Sequence, residues 1–266
     1  MRDSLTFVKA HAHGNDFLLV STAAVVGIDD LPSLARRVCA RHSGIGADGM
    51  MVLAENSAGA RSRLFNADGS FSELSGNGVR CAAAWIAHRR KFKLGQIVLI
   101  GTDAGMKELT LLEREGNRYM FRAAMGQVEE LREERIDVDG QSVAAIVMRV
   151  GNPQCVVLGP ATEERLRTIA ATLTVHPLFP DGTNVELADV ETPERVRILI
   201  WERGVGPTQA SGTGACAAAV AAAAFGGANR SLEIIAPGGT QRVTWSNDGL
   251  WLTGEAEVIG QIEWWP

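Results

Sequence analysis

Ser75-Gly76-Asn77-Gly78, running into Cys81-Ala82-Ala83-Ala84, is written a second time as Ser211-Gly212-Thr213-Gly214 running into Cys216-Ala217-Ala218-Ala219. A Ser-Gly-x-Gly start sets a hydroxyl at the cap of a helix and leaves backbone N–H groups at the helix's positive end. The landmarks around the two copies keep the same order, which marks a duplicated fold. Gly14-Asn15-Asp16 before Phe17-Leu18-Leu19-Val20 matches Gly151-Asn152-Pro153 before Cys155-Val156-Val157-Leu158, and the two asparagines stand 60 and 59 positions ahead of their serines. Asp48-Gly49 and Asp181-Gly182 read as turns feeding apolar strands. Asn66 and Glu202 each precede a serine by nine positions, so one polar site is paired across the halves. Packing about a pseudo-twofold axis would bring both hydroxyls and both helix starts to one cleft, on opposite faces of a bound molecule.

The stretches after the serines, from Asn77 through Ala87 and from Thr213 through Phe225, are apolar nearly all round, which predicts helices enclosed by other elements. Amphipathic helices are expected after Asp30, with Leu31, Leu34 and Val38 on one face, and after Thr162, with Leu166 and Ile169. Branched residues predict strands at Gln96 to Ile100, Glu108 to Leu112, Ser142 to Val150, Val196 to Trp201 and Val258 to Trp264. The fold class is therefore α/β, two pseudo-symmetric domains, each a mostly antiparallel or mixed sheet curled round a central apolar helix. The expected division is residues 1–113 with a C-terminal strand at 257–266, and residues 114–256.

Composition narrows the function. The chain of 266 residues is 46% apolar, enough for a substantial core, and its net charge of −5, with scattered basic residues, lacks a nucleic-acid footprint. The most apolar run, Ala215 to Phe225, is too short to span a bilayer, and Met1 to Gly14 has no signal-like core. A cytoplasmic protein with a small-molecule partner is expected. Cys39, Cys81, Cys155 and Cys216 form no C-x-x-C pair and read as reduced thiols, with Cys81 and Cys216 as small buried hydrophobes.

Plainer readings compete at each motif. A Ser-Gly pair before a helix is commonly only a cap, and two registered copies are what point to a site. A hydrolase elbow needs glycine two places before the serine, where this chain has Glu73 and Gln209. Gly76-x-Gly78 lacks the preceding strand of a dinucleotide fingerprint. His11 and His13 have ligand spacing without further ligands nearby, so a structural role is expected and no metal.

Taken together, His13-Gly14-Asn15-Asp16-Phe17, Gly44-Ile45-Gly46-Ala47-Asp48-Gly49, Phe65-Asn66-Ala67-Asp68-Gly69-Ser70, Gly76-Asn77-Gly78-Val79-Arg80-Cys81, Gly151-Asn152-Pro153, Asn184-Val185-Glu186, Glu202-Arg203-Gly204 and Gly212-Thr213-Gly214-Ala215-Cys216 resemble the successive motifs of diaminopimelate epimerase. The resemblance implies two similar α/β domains and inversion of an α-carbon without pyridoxal phosphate, metal or other cofactor. It implies a two-base mechanism at positions 75 and 211, with Glu202 in support. It also implies substrate contacts at Asn15, Asn66, Asn152, Asn184 and Arg203, a carboxylate held by backbone amides around Gly76-Asn77 and Gly212-Thr213, and a homodimer.

Three departures bear on the chemistry. The family places cysteines where this chain has Ser75 and Ser211, a histidine where it has Gln154, and often a glutamate where it has Pro207. A thiol ionises near pH 8.5 and can be tuned into the working range, whereas an alkanol ionises far outside it, so slowed turnover is expected. Three functions stay open at the level of sequence: a diaminopimelate epimerase, a related cofactor-independent racemase or isomerase of another amino acid, and a catalytically silent relative that binds its ligand.

Overall fold

The computed structural model describes residues 4–72, 75–103 and 105–265, so Glu73 lies outside the described residues. The chain divides into two compact units, Met1–Ala123 with Gly254–Pro266, and Ala124–Thr253. In chain order the elements are β1 (Leu5–Ala12), β2 (Asn15–Ser21), α1 (Leu31–Cys39), β3 (Gly49–Asn56), β4 (Gly59–Asn66), β5 (Phe71–Ser72), α2 (Gly76–Arg90), β6 (Ile97–Thr102), β7 (Gly105–Glu115) and β8 (Arg118–Gly126). They continue as β9 (Glu129–Val138), β10 (Gln141–Val150), β11 (Asn152–Leu158), α3 (Glu163–Arg165), α4 (Ala171–Thr174), β12 (Asn184–Thr192), β13 (Arg195–Glu202) and β14 (Gly206–Thr208). The last are α5 (Gly212–Phe225), β15 (Ser231–Ala236), β16 (Gly239–Ser246) and β17 (Gly249–Trp264).

In the first unit the strands pair in the order β1, β2, β3, β4, β6, β7, β8, and β17 closes the ring against both β8 and β1. Val258 N–H donates to Asn117 C=O at the closure. The β2–β3 and β4–β6 pairs are parallel; β1–β17, β1–β2, β3–β4, β6–β7 and β7–β8 are antiparallel. The ring is wound round α2, whose Val79, Cys81 through Ala84, Ile86 and Ala87 are buried against β1, β2, β3, β4, β6 and β7. This is why a helix with almost no polar face is stable here: every side faces a strand.

The second unit repeats the scheme on its own strands. β9, β10, β11, β12, β13, β15 and β16 follow one another, and β16 pairs with the start of β17. Again two pairs are parallel, β11–β12 and β13–β15. Short β14 lies on β13 as β5 lies on β4. The enclosed helix is α5, with Ala215 through Ala222 buried among Val156, Ile198, Ile200, Leu232 and Val243.

Outside each sheet lies an amphipathic helix. Asp30 caps α1, accepting from Ser33 N–H, and Leu34, Ala35 and Val38 face inward. Thr162 caps the second, where α3 and α4 are joined by a π-helical stretch, Leu166–Ala170. The wider turn moves the inward stripe to Leu166, Ala170 and Leu173, leaving Ile169 only half-buried, so the expected Leu166–Ile169 face is displaced by one residue. No helix among the described residues is long and apolar enough to cross a membrane.

Candidate active site

Both repeated serines are the N-caps of the enclosed helices. Ser75 is extended, at φ −132°, and its Oγ accepts from Gly78 N–H at 3.1 Å; Ser211, at φ −136°, accepts from Gly214 N–H at 3.2 Å. Val79 and Ala215 N–H bond the carbonyls of Ser75 and Ser211. Among the described residues this leaves the N–H groups of Gly76 and Asn77, and of Gly212 and Thr213, at the positive helix ends. Such amides suit a carboxylate.

Strand register decides what surrounds each cap. In the second unit Gln154 pairs with Asn184 across β11 and β12, Glu202 ends β13 just beyond the Val185↔Trp201 pair, and Glu186 lies one pleat deeper on the same face as Asn184. Glu202 is half-buried beside the Ser211 hydroxyl; burial raises its pKa above the ordinary carboxylate value while the Ser211 hydroxyl pulls the other way. Glu186 is 0% exposed, neither of its oxygens has a hydrogen-bond partner, and a Cβ at Gly214 would lie 2.5 Å from Oε1. Burial, with the charge of Glu202, lifts its pKa well above the ordinary range and favours the neutral acid.

The amides of this unit are held as well. Gln154 Nε2 donates to Asn152 Oδ1 at 2.6 Å, while Gln154 Oε1 is buried without a partner. Asn184 Oδ1 accepts from the Arg203 backbone N–H at 3.0 Å. The Arg203 stem crosses Gly182, which has φ +73° and no room for a Cβ, and Nη1 donates to Asp181 C=O at 2.8 Å. The guanidinium stays exposed, with further donors free to meet a carboxylate. Pro207 is exposed on β14, opposite Trp201.

The equivalent rung in the first unit is Phe17, Gly49 and Asn66, with Met51 one pleat deeper. A Cβ at Gly78 would meet Met51 Sδ at 2.9 Å and Phe17 Cε1 at 3.4 Å. The α2 start is therefore backed by an aromatic ring and a thioether where α5 is backed by a carboxyl. Asn77 is buried, donates to Asn15 Oδ1 at 3.2 Å and accepts from Arg80; Asn15 donates to Asp48 Oδ2 at 2.8 Å. Arg41 bridges Asp16 and Asp48, and Lys9 joins Asp16 at 3.0 Å. Burial opposes charge on Asp16, but the Arg41 and Lys9 bonds outweigh it and lower its pKa. Asn66 is exposed and donates to Ser70 Oγ at 2.9 Å.

The first unit thus joins Asn15 to Asn77 beside the Ser75 cap, with Asn66 at the end of β4 bonded to Ser70. The second joins Asn184 to Arg203 and sets Glu202 beside Ser211. Glu186 is the residue whose importance the sequence does not announce; its signal is a carboxylate inside an otherwise apolar strand, Val185-Glu186-Leu187. His13 is buried, and burial, then Arg80 and His11, lowers its pKa to about 4, so it is neutral. No cluster of three or more metal-ligating side chains occurs among the described residues. The four cysteines are buried and form no disulfide among the described residues, and burial pushes the Cys39 thiol up to about 12.

The fold is that of amino-acid racemases and epimerases and their relatives. A Bacillus anthracis phenazine biosynthesis protein of the PhzF family superposes with a TM-score of 0.74 at 14% identity, over 100% of both chains. A hydroxyproline epimerase from Agrobacterium vitis, solved with bound trans-4-hydroxy-L-proline, superposes at 0.68 with 16% identity, over 98% of this chain and 92% of that one. In sequence, the family described as diaminopimelate epimerase matches residues 7–130 and 146–259. The diaminopimelate epimerase of Moorella thermoacetica is 39% identical across 95% of this chain and 96% of its own length, and that of Desulforudis audaxviator is 37% identical across 98% and 99%. The chain belongs to the diaminopimelate epimerase family, and its class is that of an amino-acid epimerase acting on a small-molecule amino acid.

Proposed function

We propose that the chain interconverts LL- and meso-2,6-diaminopimelate by α-proton transfer at Ser75 and Ser211, each unit contributing one of the two positions. The observation that carries this is the pair of identically capped helix starts, in a chain whose family membership runs nearly end to end. The free amides at Gly76-Asn77 and Gly212-Thr213 would hold the reacting carboxylate. Arg203, with Asn66 and Asn184, would hold the distant amino-acid end; Asn15 and Asn152 complete the contacts. A substrate lacking that distant end would leave the guanidinium unpaired, at a cost of about 1–3 kcal/mol. On this reading the chain works in the cytoplasm, on the route to lysine and cell-wall precursors.

The chemistry is slow in this form, because a hydroxyl must do what a thiol does better. Glu202 supports it by accepting the Ser211 hydroxyl proton. The test is incorporation of solvent deuterium at the α-carbon of LL- and meso-diaminopimelate, by this chain and by its Ser75→Cys, Ser211→Cys variant. Exchange should rise by at least about 100-fold in the variant, the scale of a well-matched general base. Thiols that change nothing would remove the assignment of both positions. Gln154, buried where the family resemblance implies histidine, favours one second reading, a racemase of another amino acid; exchange on a panel of amino acids with none on diaminopimelate would select it.

A further inference from the structure

The polar corner beneath α5 has no counterpart beneath α2, although β11–β12 and β2–β3 are paired in parallel in the same way. It holds two carboxyl groups. Glu202 stands beside the Ser211 hydroxyl, a donor within its reach. Glu186 has none: it is sealed under the first turn of α5, against the Cα of Gly214, whose own N–H is spent on Ser211 Oγ. The groups facing the corner are Glu186 from β12, Glu202 from β13, Gln154 from β11 and Ser211 from α5, while Cys155 lies on the opposite face of β11. None of these is a cation. A sealed carboxyl with no hydrogen-bond partner does not ionise beside a second carboxyl that has a donor and reaches solvent, so the second takes the charge.

We propose that Glu186 is a positioning residue for Ser211: it keeps the proton of a two-carboxyl pair, so that Glu202 carries the single negative charge against the Ser211 hydroxyl. This rests on the epimerase reading. As Ser211 Oγ forms its bond to the substrate α-proton, its own hydroxyl proton passes to Glu202 and the C–H electron pair stays on the α-carbon. Protonation of the carbon by the same hydroxyl runs these steps in reverse. Among the described residues no carboxylate is bonded to Ser75, whose helix start rests on Phe17 and Met51, so the two positions are unequal: Ser211 is the one equipped to ionise.

Infrared titration of the carboxyl stretch, in the parent, Glu186→Gln and Glu202→Gln proteins, tests the pair directly. A protonated-carboxyl band should be present at neutral pH in the parent, absent in Glu186→Gln, and titrate at lower pH in Glu202→Gln, where the neighbouring charge is gone. In the Ser75→Cys, Ser211→Cys background, Glu186→Gln should flatten the alkaline limb of the pH–exchange profile. Glu202→Gln should lower kcat by about 100-fold with KM little changed. Exchange by the thiol variant with an unmoved band midpoint overturns the positioning role and leaves the reaction. A moved midpoint with no exchange on any substrate overturns the reaction, and the role with it.

Discussion

A Cβ at Gly214 would stand 2.5 Å from Glu186 Oε1, and one at Gly78 would stand 2.9 Å from Met51 Sδ. Both glycines are visible in the sequence as a matched pair, but what each faces is set by residues 28 and 27 positions away. The thioether can swing aside, whereas the carboxyl is boxed in without a partner. That burial also makes stability depend on pH. Glu186 is raised well above its ordinary 4.5 when folded, so the folded chain keeps a proton that the unfolded chain releases. Its contribution is full below about pH 4.5 and is lost as pH rises through the folded value. Glu202 is raised too and acts in the same direction. Glu186→Gln, which cannot ionise, should therefore gain stability over the parent between pH 5 and pH 8. Urea midpoints at the two pH values measure it, and a constant difference would mean that Glu186 is not held neutral.

At the scale of the element, the caps tie stability to chemistry. Ser75 and Ser211 each satisfy a helix N–H with Oγ, an interaction whose loss to alanine costs about 1 kcal/mol. Sulfur accepts hydrogen bonds weakly, so a thiol at either position weakens the cap even as it improves the base. The Ser75→Cys, Ser211→Cys variant should thus exchange faster and melt lower, by roughly 2–4 °C for each kcal/mol lost in a chain of this size. Calorimetry run beside the exchange assay would show both, and an unchanged melting temperature would mean that the caps contribute little. The caps, the enclosed helices and the turn before β3 were legible because each rests on neighbouring residues. The π-helical stretch between α3 and α4 was not, since it follows from fitting Leu166, Ala170 and Leu173 to the sheet beneath.

For the whole molecule, the duplication explains why the first unit needs the end of the chain. β1 pairs with β17 from Leu5↔Trp264 to His11↔Glu257, and β17 also closes on β8. A chain ending at Thr253 would leave both partners as open, apolar edges, a template for aggregation. Such a truncation should lose its monodisperse peak in size-exclusion chromatography, and a folded, soluble product would contradict the closed ring. Sequence alone determined the duplicated α/β architecture, the two capped helix starts and the family, because caps, turns and apolar periods are properties of residues close along the chain. Tertiary structure alone decided that the two starts differ, Phe17 and Met51 beneath one, Gln154, Glu186 and Glu202 beneath the other. Which side chains share a rung depends on strand register across residues far apart in sequence, and burial in that setting, not residue type, keeps the proton on Glu186.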